Sequence, residues 1–129
     1  MHRVLVLGAG KIGALISGLL GESGDYRVDL ADVDGAAAAA VVDAHGLPSV
    51  HAFGFDATDR AALEAHLDAH PADAVISGLP YFCNVPVAEI ARRRGMHYFD
   101  LTEDVAVTAQ VRQAVREIKR ASRHLLQLI

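Results

Sequence analysis

A short apolar run, Arg3-Val4-Leu5-Val6-Leu7, passes directly into Gly8-Ala9-Gly10-Lys11-Ile12-Gly13, after which apolar residues recur at Leu15, Ile16, Leu19 and Leu20. This order reads as a strand, a glycine turn and an amphipathic helix. Each glycine has a physical use. Gly8 permits the tight turn out of the strand, Gly10 leaves the backbone open to close approach, and Gly13 lets the helix lie near the sheet. Open amides at the start of such a helix, here about Lys11 and Ile12, attract a phosphate, because the helix dipole places partial positive charge there.

The same alternation continues along the chain. Strands are expected at Arg3–Leu7, Arg27–Asp32, Val50–Phe55, Ala74–Gly78 and His97–Leu101, and helices at Lys11–Glu22, Gly35–His45, Asp59–Ala69 and Val85–Arg94. Asp34 and Thr58 are placed to cap helices at their amino ends, Pro86 sits in a first turn, and Gly46 and Gly95 are placed to close helices. Strands joined by helical crossovers make a parallel sheet. The expected fold is therefore a doubly wound α/β Rossmann sheet of order 3-2-1-4-5 with helices on both faces, formed by one domain over residues 1–129.

Composition narrows the function classes. The 129 residues carry a formal net charge of −4 with a pI near 5.9, which excludes a broad basic face for nucleic acid. The basic exception is local: Arg112, Arg116, Lys119, Arg120 and Arg123 stand near the carboxyl end against a single acid, Glu117. One cysteine, Cys83, cannot form an intrachain disulfide, and no apolar stretch has the length of a membrane span. A cytoplasmic protein without membrane or nucleic-acid partners is expected.

Asp32 follows Gly8 by 24 residues, at the end of the second strand. A carboxylate there accepts hydrogen bonds from the hydroxyls of an adenosine ribose and repels a 2'-phosphate. Val33 and Asp34 come next, with no arginine to receive that phosphate. The pattern points to a nicotinamide dinucleotide, NAD rather than NADP. Asp56 or the Ala57 backbone, after the third strand, is placed for the adenine edge, while Gly78, Leu79 and Pro80, after the fourth, are placed for the pyrophosphate and the nicotinamide ribose. Lys11 is within reach of phosphate.

No catalytic residue and no metal site emerges. His66 and His70 stand at helical i, i+4 spacing, but no acid or cysteine is placed in the sequence to complete a metal site. Asp100, Thr102 and Glu103 lie where a strand end meets the crevice, but capping of the following helix is the better explanation of acids there. A Tyr-x-x-x-Lys pair, a serine nucleophile elbow and a Walker lysine are absent from the sequence.

Three segments together carry a family resemblance: Gly8–Gly13 with the Leu30-Ala31-Asp32-Val33-Asp34 strand end, Leu79-Pro80-Tyr81-Phe82-Cys83-Asn84-Val85-Pro86-Val87-Ala88, and Gly95-Met96-His97-Tyr98-Phe99-Asp100-Leu101-Thr102-Glu103-Asp104. Over about residues 3–108 the chain resembles the amino-terminal cofactor domain of saccharopine dehydrogenase-like oxidoreductases, which include lysine dehydrogenases. The resemblance implies hydride transfer between a nicotinamide and an amino acid or its imine, in a crevice shared with a larger carboxyl-terminal substrate domain. That domain has no counterpart here, so the resemblance implies a chain that binds dinucleotide, needs the missing domain or a companion chain, and catalyses little alone. The carboxyl end departs from the family. Val115, Ile118, Leu125, Leu126 and Ile129 recur at near-helical spacing where a sixth strand is expected. This stripe is placed either to pack on its own sheet or to form a homodimer contact. A second resemblance, through chain length, the glycine turn, Asp32 and Phe55-Asp56-Ala57-Thr58-Asp59, is to nucleotide-sensing regulatory domains of potassium transport systems, against which the second and third segments stand.

Overall fold

The computed structural model describes residues 1–101, 115–118 and 120. Five strands, β1 (His2–Leu7), β2 (Tyr26–Asp32), β3 (Val50–Gly54), β4 (Ala74–Ser77) and β5 (His97–Asp100), form one parallel sheet in the order β3-β2-β1-β4-β5. The crossovers are α1 (Lys11–Glu22), α2 (Gly35–His45), α3 (Arg60–Ala69) and α4 (Asn84–Arg93), with a 3-10 turn at Tyr81–Cys83 leading into the last. The expected order and helix placement are those observed. Winding runs outward from β1 to β3 and then returns to β4, so the direction reverses between β1 and β4 and opens a crevice beyond their carboxyl ends.

Alternating side chains divide the core into two layers. Val4, Val6, Val28, Leu30 and Ile76 face α1 and α2, meeting Ile16, Leu20 and Ala38. Leu5, Leu7, Ala31 and Val75 face α3 and α4, meeting Leu63, Leu67, Val87 and Ile90. Central β1 is covered on both faces, which is why it reads as an unbroken apolar run. Each fully buried Leu or Ile contributes about 1.5–3 kcal/mol of burial.

Helix ends account for the small differences from expectation. Asp34 caps α2 by accepting from the Ala36 and Ala37 amides at 3.1 and 3.3 Å, and Gly46, at φ +61°, closes it. Thr58 does not cap α3, because its amide and hydroxyl both donate to Asp56, at 2.9 and 2.6 Å. Asp59 takes the role instead, accepting from Ala61 and Ala62. Strands β3, β4 and β5 end one residue early, at Gly54, Ser77 and Asp100. Residues 115–118 are helical, and Val115 and Ile118 are buried against the α1/α2 layer. Those two members of the carboxyl-terminal stripe pack on the sheet; Leu125, Leu126 and Ile129 lie outside the described residues. Among the described residues no helix is long and apolar enough to cross a membrane.

Candidate functional site

The glycine turn stands at the carboxyl end of β1, over the crevice. Gly8 adopts φ +101°, a conformation side chains resist, and its amide donates to the Ala31 carbonyl at 2.8 Å. Gly13 is required by contact. A methyl group there would lie 1.8 Å from the Gly8 carbonyl oxygen, so the first turn of α1 rests on the turn's own backbone. Gly10 is different: its backbone, at φ −73°, is open to any residue, and a methyl group there would meet nothing within 4 Å. The space in front of Gly10 is open, and Gly10 and Lys11 are exposed. While α2 and α3 are capped by aspartates, α1 has no side-chain cap and no acid in its first turn. No side chain caps the amides at Lys11 and Ile12.

Asp32 closes this turn from the side. One carboxylate oxygen accepts the Ala9 amide at 2.7 Å and the other accepts the Asp34 amide at 2.9 Å. Each oxygen keeps a second lone pair, so acceptor capacity for ribose hydroxyls remains. Val33 is exposed, and Asp34 is committed to capping α2. Behind them, Gly35 and Gly54 lie back to back: a methyl group on Gly54 would stand 2.9 Å from the Gly35 Cα and one on Gly35 3.2 Å from the Gly54 Cα, so the start of α2 and the end of β3 approach closely, most tightly at Gly54. No sequence signal marks this pair, because Gly35 opens an alanine-rich helix.

Asp56 is exposed at the end of β3 and is occupied with Thr58, whose hydrogen bonds hold its carboxyl below the usual range. Its carboxylate turns the chain, and Ala57 follows, half-buried. On the other side of the crevice, the Gly78 amide donates to the Leu7 carbonyl at 2.8 Å, which brings the loop after β4 beside the glycine turn. Gly78 and Pro80 are exposed and Leu79 is half-buried against the α3/α4 layer. A buried pair not foreseen from sequence, Ser77 and Asn84, ties the two ends of this loop, with the Ser77 hydroxyl donating to Asn84 Oδ1 at 2.6 Å.

Other sequence candidates fall outside this crevice or change meaning. Tyr98 donates its hydroxyl to Asp100 at 3.0 Å; burial, then the Asp100 carboxylate, pushes the phenol above its ordinary pKa, so it stays a donor. Thr102, Glu103 and Asp104 lie outside the described residues. The fold brings an acid beside His66: Asp29 on β2 comes to 3.5 Å from His66 Nε2. No sequence spacing announces that approach, since β2 and α3 are brought together only by the crossover. Among the described residues no group of three or more His, Cys, Asp or Glu side chains is gathered as a metal ion requires.

Comparison with known proteins follows the same geometry. Residues 4–125 match the family described as "Saccharopine dehydrogenase NADP binding domain". Among solved structures, saccharopine dehydrogenase (L-Glu forming) from Saccharomyces cerevisiae is 26% identical, with a TM-score of 0.69 over 86% of this chain and 24% of that one. UDP-glucose 4-epimerase from Bifidobacterium longum, solved with NAD+ and UDP, is 17% identical at a TM-score of 0.63, covering 92% of this chain and 49% of that one. A short-chain dehydrogenase/reductase (wide type) from Veillonella parvula, solved with NADP, is 15% identical at a TM-score of 0.62, covering 80% and 48%. These last two share the fold. No curated protein sequence matches the chain. The chain spans about a quarter of the yeast structure it matches. With its glycine turn, the acid closing that turn and a family match running from β1 to residue 125, this chain belongs to the saccharopine dehydrogenase NADP-binding domain family, a family of nicotinamide dinucleotide-binding oxidoreductase domains.

Proposed function

We propose that this chain holds NAD for an oxidoreductase acting on an amino acid or its imine, and that residues beyond this domain complete the substrate site. The observation that carries the reading is the contrast at the helix ends. Asp34 and Asp59 satisfy α2 and α3, while α1 opens onto the empty space in front of Gly10 with its first amides unclaimed by any side chain. In this reading Gly8, Gly10 and Gly13 shape the pyrophosphate cradle, Lys11 and Ile12 supply amides, and Lys11 adds a charge at its rim. Asp32 takes the ribose hydroxyls, with Val33 over the ribose. The adenine edge lies along Ala57, beside Asp56, and Gly78, Leu79 and Pro80 flank the nicotinamide ribose.

The preference for NAD rests on charge. A 2'-phosphate beside Asp32 would meet a carboxylate, with Val33 and Asp34 next in the chain and no cation among them. Bound NAD supplies the hydride acceptor, and the protein's contribution is to fix its orientation. A substrate domain, in the same or a companion chain, supplies the groups that handle the amine. Activity on amino acids is accordingly expected to be negligible for these 129 residues alone, in a cytoplasmic setting where NAD is abundant.

Calorimetric titration of this chain with NADH and NADPH tests the reading. NADH is expected to bind more tightly, and tighter binding of NADPH would remove the role given to Asp32. Binding of neither would end the dinucleotide assignment for this site.

A further inference from the structure

Ser77 and Asn84 are both buried, at 0% and 7% exposure, and they face each other at 2.6 Å across the base of the loop formed by residues 78–83. The Ser77 hydroxyl also receives the Leu79 amide at 3.3 Å, while inside the loop the Cys83 amide donates to the Pro80 carbonyl at 2.9 Å. A buried polar pair adds little net stability over an apolar pair of the same shape; what it contributes is one fixed arrangement. Here the fixed arrangement reaches the site. Gly78 follows Ser77 directly, and a methyl group on Gly8 would touch the Gly78 carbonyl at 3.4 Å, so the loop and the glycine turn stand in backbone contact.

The direction of winding reverses between β1 and β4, and a dinucleotide lies across that point. With the pyrophosphate on α1 and adenosine toward β2, its other half passes over the end of β4. We propose that Ser77 and Asn84 are positioning residues that clip the loop after β4 at the height needed to receive the nicotinamide half. The inference rests on the dinucleotide reading above and adds to it the device that shapes the second half of the cradle.

The test compares a whole ligand with its fragment. In the double variant S77A/N84L both side-chain partners go together, so neither is left as an orphaned buried side chain, and the half-buried Leu79 amide loses its 3.3 Å acceptor. NADH is expected to bind about tenfold more weakly than to the wild-type chain, the scale of one lost hydrogen bond, with ADP affinity unchanged. A merely structural role would weaken both ligands equally or lower only the melting temperature, and either result overturns the proposal. If the variant does not fold, the wild-type chain decides by nuclear magnetic resonance. Saturating NADH, and not ADP, is expected to shift the Leu79 backbone amide and the Asn84 side-chain amide; identical shifts from both ligands, or none, would refute the clip. Wild-type NADH titration separates this failure from that of the dinucleotide reading, because absent binding there removes both, whereas normal binding with an unchanged NADH to ADP ratio in the variant removes the clip alone.

Discussion

Asp32, at the end of β2, accepts the Ala9 amide after neighbouring β1 at 2.7 Å, so the acid proposed for the ribose also holds the glycine turn in place. Its other oxygen takes the Asp34 amide. Replacing Asp32 by Asn keeps one acceptor and turns a donor NH2 group toward one of those two amides. Donor then faces donor. The expected cost is about 1–3 kcal/mol of stability, from the loss of a hydrogen bond to a charged acceptor. Urea unfolding followed by circular dichroism reads that cost, and NADH titration of the same variant is expected to show weaker binding. Full stability in Asp32→Asn would mean that the turn does not depend on this carboxylate.

Gly10 and Gly13 should separate binding from folding. A methyl group on Gly13 collides with the Gly8 carbonyl oxygen at 1.8 Å, and that neighbour is backbone, which cannot swing aside. Gly13→Ala is therefore expected to lose about 3 kcal/mol or more, the upper range of overpacking costs. Gly10→Ala meets nothing within 4 Å and should leave the melting temperature nearly unchanged. Its effect should fall on NADH, whose phosphates need the space. A Gly10→Ala variant that binds NADH at wild-type affinity would place the phosphates elsewhere.

How far the sequence carries is visible in these same residues. Period and punctuation located all five strands and the four crossover helices: β1 and β4, buried on both faces, read as short apolar runs, and the aspartate caps of α2 and α3 and the turn glycines mark where the helices between strands begin and end. The turn was legible because Gly8, Gly10 and Gly13 lie within one local motif. Relations that depend on the crossovers were not legible. Ser77 meets Asn84 because the loop folds back, Gly35 meets Gly54 because α2 starts where β3 ends, and Asp29 meets His66 because α3 packs against β2. Local spacing encodes none of these distances. Thr58 failed as a cap for a simpler reason: Asp56, two residues earlier, competes for its hydroxyl.

Asp29 should make stability depend on acid. Burial is the largest influence on its carboxyl and pushes it up, but the His66 ring and the Arg27 guanidinium, at 3.3 Å, together outweigh burial and leave it below its ordinary value of 3.8. A carboxyl with a depressed folded-state value stabilises the fold above the unfolded-state value and loses that contribution as pH falls through the folded one. The stability gap between the wild-type chain and Asp29→Asn should then be constant above about pH 5 and close progressively below 3.8. Urea midpoints across this range provide the measurement. A gap that stays constant into strong acid would show that the charge on Asp29 contributes nothing.

Ile118 tests whether the helical residues near the carboxyl end share the core. It is 1% exposed and packs in the layer that holds Val4, Ile16 and Leu30, beneath the same face as α1. If that layer unfolds as one unit, Ile118→Ala leaves a cavity that the sheet cannot collapse to fill, at a cost of about 2–5 kcal/mol. Arg116, two residues earlier on the same short stretch, is exposed, so Arg116→Ala serves as a control expected to change stability by less than about 0.5 kcal/mol. The two variants, compared by urea unfolding, separate burial from helix propensity, since alanine favours the helix in both. Equal and small effects would mean that these residues detach before the sheet unfolds, and that the layer over α1 is closed by something other than Ile118.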